Sequence, residues 1–394
     1  MKRTEADDAL RDVDGASSLG ASGLCADGAP RGGGTQGACA LRRRDFGGSV
    51  FAFGREGVGR VDGGTPDAAC RLPPAALLTA EFFLFLLLFM GMMTLVREAV
   101  AWGLRRWLGW PAGTLARCRR LTIFILLLGL GANGYGMHQA LALPEVKRVE
   151  VVLPELPPAL DGLTIAQLSD LHVSLLFRLE RVKAIVDAVN ALSPDLVAIT
   201  GDLVDGEVAD RAADLAPLAN LSAPYGVWGC EGNHEHYVDY PGWRAFLPTL
   251  NIKMLYNAHG VVTVKGTPLV VAGLTDLIAD KFDDEVPQLS KALAGAPEAF
   301  TLLLAHQPKL ADRVAGRGPA LQLAGHTHGG QLPGVNLLTK VLNAGYLAGL
   351  YRVTGEKRSM ALYVNSGTDL WNGFAIRIGT TGEITLLTLK SGCR

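Results

Sequence analysis

Two long apolar runs constrain this chain more than any other feature. The first, "PPAALLTAEFFLFLLLFMGMMTLV" from Pro73 to Val96, is interrupted only by Glu81. The second, "LTIFILLLGLGANGYGMHQALAL" from Leu121 to Leu143, contains no Asp, Glu, Lys or Arg. At a helical rise of ~1.5 Å per residue, either run can cross a hydrocarbon core of ~30 Å. The alternative is a pair of buried helices in a globular protein, which apolar side chains on every face disfavour. Composition agrees with membrane segments: 49% of residues are hydrophobic and only 19% charged, and the mean hydropathy is +0.23.

The stretch between the runs carries Arg97, Arg105, Arg106, Arg117, Arg119 and Arg120 against Glu98, with Trp102, Trp107 and Trp110 suited to an interfacial belt. The positive-inside rule makes this connection cytoplasmic and puts both ends of the chain on the other side of the membrane. Everything after Leu143 is therefore expected to be extracytoplasmic.

Residues 1–72 are rich in Gly, Ala, Asp and Arg and poor in large aliphatics. Such a segment buries too little apolar surface to offset its ordering entropy, and it reads as a disordered tail. Arg43, Arg44 and Phe46 have the look of a twin-arginine export signal, but the residues that follow are too polar and glycine-rich for its apolar region. A start of translation further downstream is the plainer reading of the tail. The six cysteines form no CxxC pair, which argues against a structural zinc knuckle. Cys230 and Cys393 are the two in the C-terminal half and read as unrelated thiols rather than a disulfide. A net charge of −1 with no basic domain gives nucleic-acid binding no electrostatic support.

From about Pro144 the pattern becomes that of a soluble α/β domain. Strands are expected over Leu163–Ser169, Asp195–Thr200, Tyr225–Gly229, Phe300–Ala305 and Ala320–Ala324, and a hairpin over Val261–Leu274 with Gly266 at its turn. Helical periodicity covers Arg178–Leu192, and shorter helices are expected at "APLANL" and "PGWRAFLPTL". "MALYVN" and "AIRIGTTGEITLLTL" read as closing strands. Early strands alternate with helices and later ones pair locally, which implies a mixed α/β layered core.

Polar groups gather where these strands end. In order they are "SDLH" with Asp170 and His172, "GDLVD" with Asp202 and Asp205, "GNHEH" with Asn233, His234, Glu235 and His236, "HQP" with His306, and "GHTHGG" with His326 and His328. Of eight histidines, only His138 and His259 lie elsewhere. Loops at the carboxyl ends of strands are where α/β folds place ligands. In extended backbone, residues i and i+2 point the same way, so Asp170 with His172, and His326 with His328, can each present two donors together. Carboxylate, amide and imidazole donors suit Mn²⁺, Fe or Zn²⁺ better than Ca²⁺. The donors outnumber what one ion needs, which points to a two-metal site. Asp205 reads as a cap of the segment after it, His236 as a rim residue, and Glu81 as an acid near enough to the end of its run to reach the interface.

The ordered set DLH, GDLVD, GNHE, His306 and GHTH, from about Leu163 to about Leu389, resembles the calcineurin-like metallophosphoesterases, and within them the membrane-anchored bacterial branch whose motif reads GHTHGGQ. The resemblance implies a layered αββα core preceded by a transmembrane helical hairpin. By position, Asp170, His172, Asp202 and His328 would hold one divalent ion, and Asp202, Asn233, His306 and His326 the other, with Asp202 bridging. The implied chemistry is hydrolysis of a phosphate ester by a metal-bridging hydroxide, with His234 protonating the leaving oxygen. A membrane anchor suggests a phosphorylated small molecule or lipid as substrate. Two alternatives stay open within the resemblance: a UDP-diacylglucosamine-type pyrophosphatase, which needs a cytoplasmic site, and a non-catalytic membrane scaffold, whose members tend to lose ligands.

Overall fold

The structure is a computed structural model and describes residues 73–111, 119–371 and 373–392. The expectations for residues 1–72 and for Cys393 lie outside these residues. Two helices open the described chain, α1 (Pro74–Leu108) and α2 (Arg119–Leu141). Both are long and apolar enough to cross a membrane. The first runs well past Val96, so Arg97, Arg105 and Arg106 are helical rather than in a loop. It ends at Gly109, whose left-handed backbone (φ 66°) closes the last turn. The helices approach closely at Gly129, where an added Cβ would come within 2.8 Å of the Phe89 ring. Along much of their length the apolar side chains are bare, among them Phe83, Leu87, Leu95, Phe124 and Leu127.

The rest of the chain is built from β1 (Glu145–Leu153), β2 (Thr164–Leu168), α3 (Leu179–Ala191), β3 (Leu196–Thr200), α4 (Val208–Leu215), β4 (Val227–Cys230), α5 (His234–Tyr237), α6 (Tyr240–Phe246), β5 (Ile252–Met254), β6 (Ala258–Val264), β7 (Thr267–Gly273), α7 (Leu289–Ala292), β8 (Phe300–Leu304), α8 (Ala311–Val314), β9 (Leu321–Ala324), α9 (Val335–Leu342), β10 (Gly349–Thr354), β11 (Ser359–Val364) and β12 (Glu383–Ser391). They form two six-stranded sheets with strand orders β1-β12-β2-β3-β4-β5 and β10-β11-β9-β8-β7-β6. The strands β2, β3 and β4 pair in parallel, as do β7, β8 and β9. Their carboxyl ends are therefore aligned within each sheet.

Both faces of each central strand are covered, which is why β3 and β8 are buried at every position and mostly apolar rather than alternating. Between the sheets lie Ile165, Leu196, Ala198, Trp228, Leu269, Val271, Leu302 and Leu323. The outer face of the first sheet packs Ala166, Val197 and Ile199 under Val182, Ile185 and Val189 of α3 and Trp243 of α6. The second sheet packs Leu303 and Leu362 against Leu310 and Val314 near α8. This is the layered αββα core expected from the sequence.

The structure departs from the expected elements in several places. Strand β1 was not foreseen; it follows α2 directly and pairs in parallel with β12. The amphipathic helix α9 was not foreseen either. Strand β12 starts only at Glu383, so Ala375–Ile378 of the expected closing strands is irregular backbone. That segment is held from outside the sheet: Arg377 N–H donates to the Gly136 carbonyl in α2 (2.9 Å). An added Cβ at Gly136 would lie 2.6 Å from Ile376, so only glycine lets α2 come this close.

Candidate metal centre

The strand-end loops meet because two of them are glycine-thin where they cross. Gly201 takes φ 83°, and a Cβ there would lie 2.6 Å from the backbone nitrogen of Gly232. Asp202 and Asn233, the residues after each glycine, thus come side by side. Glu235 locks this crossing by accepting from the N–H groups of Gly232 (2.6 Å), Leu203 (2.6 Å) and Asp202 (3.1 Å). Glu235, which the sequence left without a role, is the buried clamp between the second and third loops. Gly325 likewise sits against Ser169 and Asp170, where a side chain would collide.

The extended-backbone argument for paired donors does not describe the loops. Asp170, His172, Asp202, His326 and His328 all have positive φ, at 54°, 41°, 53°, 72° and 48°. Left-handed backbone at a residue with a Cβ costs of order 1–3 kcal/mol and persists only where the surroundings over-determine it. The loops that carry Asp170 and His172, Asp202, and His326 and His328 turn sharply at these residues, which aims the side chains inward.

The sequence-predicted residues fall into two adjoining groups. Asp170, His172 and His328 bring one donor atom each within 4.8 Å of one another, and so do Asp202, His306 and His326. His328 Nε2 lies 3.2 Å from Asp170 Oδ1 and 3.2 Å from His172 Nε2. In the second group His306 Nε2 lies 3.1 Å from Asp202 Oδ2, 3.1 Å from Asn233 Oδ1 and 3.2 Å from His326 Nδ1. Asp202 stands between the groups, with Oδ2 also 3.7 Å from His172 Nε2. His326 and His328 are thus separated, one to each group.

His234 lies at the mouth with its side chain 22% exposed, and its Nδ1 is 2.6 Å from Asp205 Oδ1. The same oxygen is 3.1 Å from His172 Nδ1. Asp205, expected as a cap, holds two imidazoles with its side chain and so orients both; the N-cap residue of α4 is Glu207. His236 is not a rim residue either. It is buried, with its ring nitrogens 3.0 Å from Glu231 and 3.0 Å from Asp284, and it stacks on Tyr240. Cys230 is a buried thiol of the inter-sheet core, as a packing residue should be. His138 is exposed on α2, away from both groups.

Electrostatics follow from this crowding. Burial alone disfavours protonated imidazole, yet the carboxylates of Asp202 and Asp205 raise His234 to about 9. Burial is likewise outweighed at His306, where Asp202 pushes the ring well above its ordinary value. His326 and His328 go the other way: burial, with like charge from His306 and His172 respectively, lowers them to about 3 and about 4.

Sequence reasoning missed the aromatic and ionic backing of the centre. Trp371 packs against His328, His172 and His234 with ring centroids 4.7, 5.9 and 6.4 Å apart. It stacks on Phe374 at 5.3 Å, which meets Phe85 of α1 edge-on at 4.9 Å. Arg377 is fully buried and donates to the carbonyls of Ser366, Gly367, Asp369 and Thr381. Arg181 pairs with Asp369 and donates to the carbonyls of Leu141 (2.6 Å) and Ala142 (2.7 Å) at the end of α2. Glu81 is bonded to the domain rather than left bare on α1. It accepts from the N–H groups of Gly373 (2.9 Å) and Ala375 (3.0 Å) and is itself buried.

The profile of the calcineurin-like phosphoesterases matches residues 163–330. A bovine transmembrane protein with metallophosphoesterase domain is 33% identical over 298 residues, which cover 72% of this chain and 66% of the relative. An uncharacterized metallophosphoesterase of Helicobacter pylori is 35% identical over 272 residues, 68% of this chain and 70% of the relative. Another, of Bacillus subtilis, is 31% identical over 270 residues, 66% of this chain and 91% of the relative. The chain spans just under two thirds of the vertebrate transmembrane relatives, 66% of the bovine and 63% of the zebrafish protein. Vertebrate and bacterial chains both appear, so these relatives do not single out a bacterial branch. Among solved structures, a 5'-nucleotidase precursor from Thermus thermophilus is similar over 58% of this chain and 55% of that one, with a TM-score of 0.37 and 18% identity. On the profile match and the extent of the relatives at 31–35% identity, the chain belongs to the calcineurin-like metallophosphoesterase family.

Proposed function

We propose that the chain is a membrane-anchored phosphoesterase that works with two divalent metal ions and splits a phosphate ester by adding water across a P–O bond. The observation that carries this reading is the convergence of Asp170, His172, Asp202, Asn233, His306, His326 and His328 from five strand-end loops.

The donor set fits metal ions. His306 Nδ1 faces the Thr200 carbonyl at 2.8 Å and His172 Nδ1 faces Asp205, so in each neutral ring Nδ1 carries the hydrogen. The inward Nε2 atoms then hold lone pairs. His172 Nε2 faces His328 Nε2 over 3.2 Å, and the buried Nδ1 of His328 has no hydrogen-bond partner among the described residues, so this ring can take its hydrogen on Nδ1 and turn a bare Nε2 toward an ion. Asp170, His172, Asp202 and His328 would hold one ion, and Asp202, Asn233, His306 and His326 the other. The mixed oxygen and imidazole donors suit Mn, Fe or Zn. When bound, such a pair polarises the phosphoryl group and lowers the pKa of a water.

The remaining work belongs to the chain. His234 has Nδ1 tied to Asp205 and its ring partly exposed, which leaves Nε2 to hand a proton to the departing oxygen. Trp371 walls one side of His172, His234 and His328 and limits water there. The two apolar helices and the transmembrane relatives support the anchor, and the arginine excess between the helices supports an extracytoplasmic domain. The test is hydrolysis of p-nitrophenyl phosphate and bis(p-nitrophenyl) phosphate by the purified full chain loaded with Mn²⁺ or Zn²⁺, beside Asp202→Asn. Hydrolysis of either ester that Asp202→Asn abolishes is expected; equal rates in the two proteins would refute the reading.

A further inference from the structure

The helix that follows the centre's last loop is built inside out. In α9 the polar residues Asn336 and Thr339 face partly inward, and Asn343 just beyond its end is buried. Asn336 lies against Gly330, where an added Cβ would strike it. The outward side carries Leu337, Leu338, Val341 and Leu342, which are 69, 60, 76 and 64% exposed. A helix on the surface of a soluble domain does the reverse and turns its apolar stripe to the core. Exposed aliphatic side chains gathered on two turns mark an interaction surface rather than scatter.

The neighbours of this helix say what covers it. Ile378 N–H donates to the carbonyl of Gln331 (2.8 Å), and the adjacent Arg377 N–H donates to Gly136 in α2 (2.9 Å). Ile376 and Ile378 fill the space over Gly136. Two backbone hydrogen bonds one residue apart thus tie the loop that starts α9 to the domain end of an apolar, span-length helix. The exposed patch of α9 and the bare side chains of α1 and α2 are thus joined through one short segment, residues 376–378.

We propose that α9 lies in the interface of the bilayer that holds α1 and α2, with Leu337, Leu338, Val341 and Leu342 among the acyl chains. Lys340, exposed on the same helix, reaches the head groups. The loop from His326 to Gln331 then opens at the lipid surface, and the phosphate esters within its reach are those of lipid head groups. This last step rests on the phosphoesterase reading; the seating of α9 does not.

The experiment uses the full chain, with its native cysteines replaced, in vesicles of phosphatidylcholine and phosphatidylglycerol. Nitroxide labels are attached at Leu338→Cys, at Val341→Cys and, at the opposite edge of the second sheet, at Lys265→Cys. Seating in lipid predicts that the labels at 338 and 341 collide more with oxygen than with a water-soluble nickel chelate, and that the label at 265 does the opposite. Nickel access at 338 and 341 equal to that at 265 overturns the proposal. So does protection from both agents with dipolar broadening, which would mean a second copy of the chain covers the patch. Leu338→Glu/Val341→Glu is then expected to cut hydrolysis of a phosphatidyl p-nitrophenyl ester in the vesicles at least tenfold relative to soluble bis(p-nitrophenyl) phosphate. An unchanged ratio refutes access from the lipid. A parent chain that cleaves neither ester contradicts the phosphoesterase reading and the access claim with it, while the label result stands on its own.

Discussion

Asp205 Oδ1 sits 2.6 Å from Nδ1 of His234, and the same oxygen serves His172 at 3.1 Å. One carboxylate therefore fixes the ring of a residue in the first donor group and the ring at the mouth. Asp205→Asn keeps the shape but cannot accept from both rings through a charged oxygen. We expect metal affinity and kcat each to fall about 10–100-fold, the range seen when the partner of a metal-bound histidine is removed. Metal titration followed by steady-state kinetics checks it, and unchanged values for both would return Asp205 to a passive role.

His234→Asn separates proton transfer from metal holding. The ring is the proposed donor to the leaving oxygen and stands outside both donor groups. The variant should lose about 10²–10⁴-fold in kcat while binding the same amount of metal. The loss should shrink for esters whose leaving group needs no proton, such as p-nitrophenol. A uniform loss across leaving groups would argue for a positioning role only.

Metal loading should release a proton. With the centre free of metal, burial disfavours a charged His306 but Asp202 holds its ring well above the ordinary range, so it is protonated at neutral pH. His326 and His328, lowered to about 3 and about 4, are already neutral there. A metal ion needs the bare nitrogen of His306, so its binding expels that proton and affinity rises with pH. Calorimetric titrations in two buffers of different ionisation enthalpy should differ by about one proton per chain. Identical heats would show that His306 is not displaced from its proton.

Glu81 is a structural acid that links α1 to the backbone behind Trp371. Glu81→Ala leaves the N–H groups of Gly373 and Ala375 without their acceptor. Ala375 is buried, and a buried N–H left unpaired costs about 1–3 kcal/mol. We expect a lower unfolding midpoint for the detergent-solubilised full chain and faster amide exchange at Gly373 and Ala375. Exchange equal to that of the parent chain would mean that the contact does not hold the loop.

The donors were legible because each lies in a short loop directly after a strand, where residue type and spacing carry the chemistry without knowledge of the partner. The αββα core was legible for the same reason, since its central strands are apolar runs broken by those loops. What escaped reading depends on contacts between residues far apart in the chain. "AIRI" has the alternation of a strand, but Glu81 and Gly136, more than 200 residues earlier, take its hydrogen bonds or its packing space. Asp205 looks like any acid ahead of a helix until His172 and His234 are seen to share it. Spacing of i and i+2 picked out residues that the structure brings together, but on a different backbone: positive φ at Asp170, His172, His326 and His328 turns them toward one another.

If two metal ions drive the reaction, activity must follow metal stoichiometry. The full chain is stripped with chelator, titrated with Mn²⁺, and followed by elemental analysis and by hydrolysis of p-nitrophenyl phosphate and bis(p-nitrophenyl) phosphate. No turnover is expected after stripping, with about two equivalents bound per chain and activity that returns with the second. Saturation at a single equivalent with full activity, or hydrolysis that survives complete stripping, would contradict the two-metal reading.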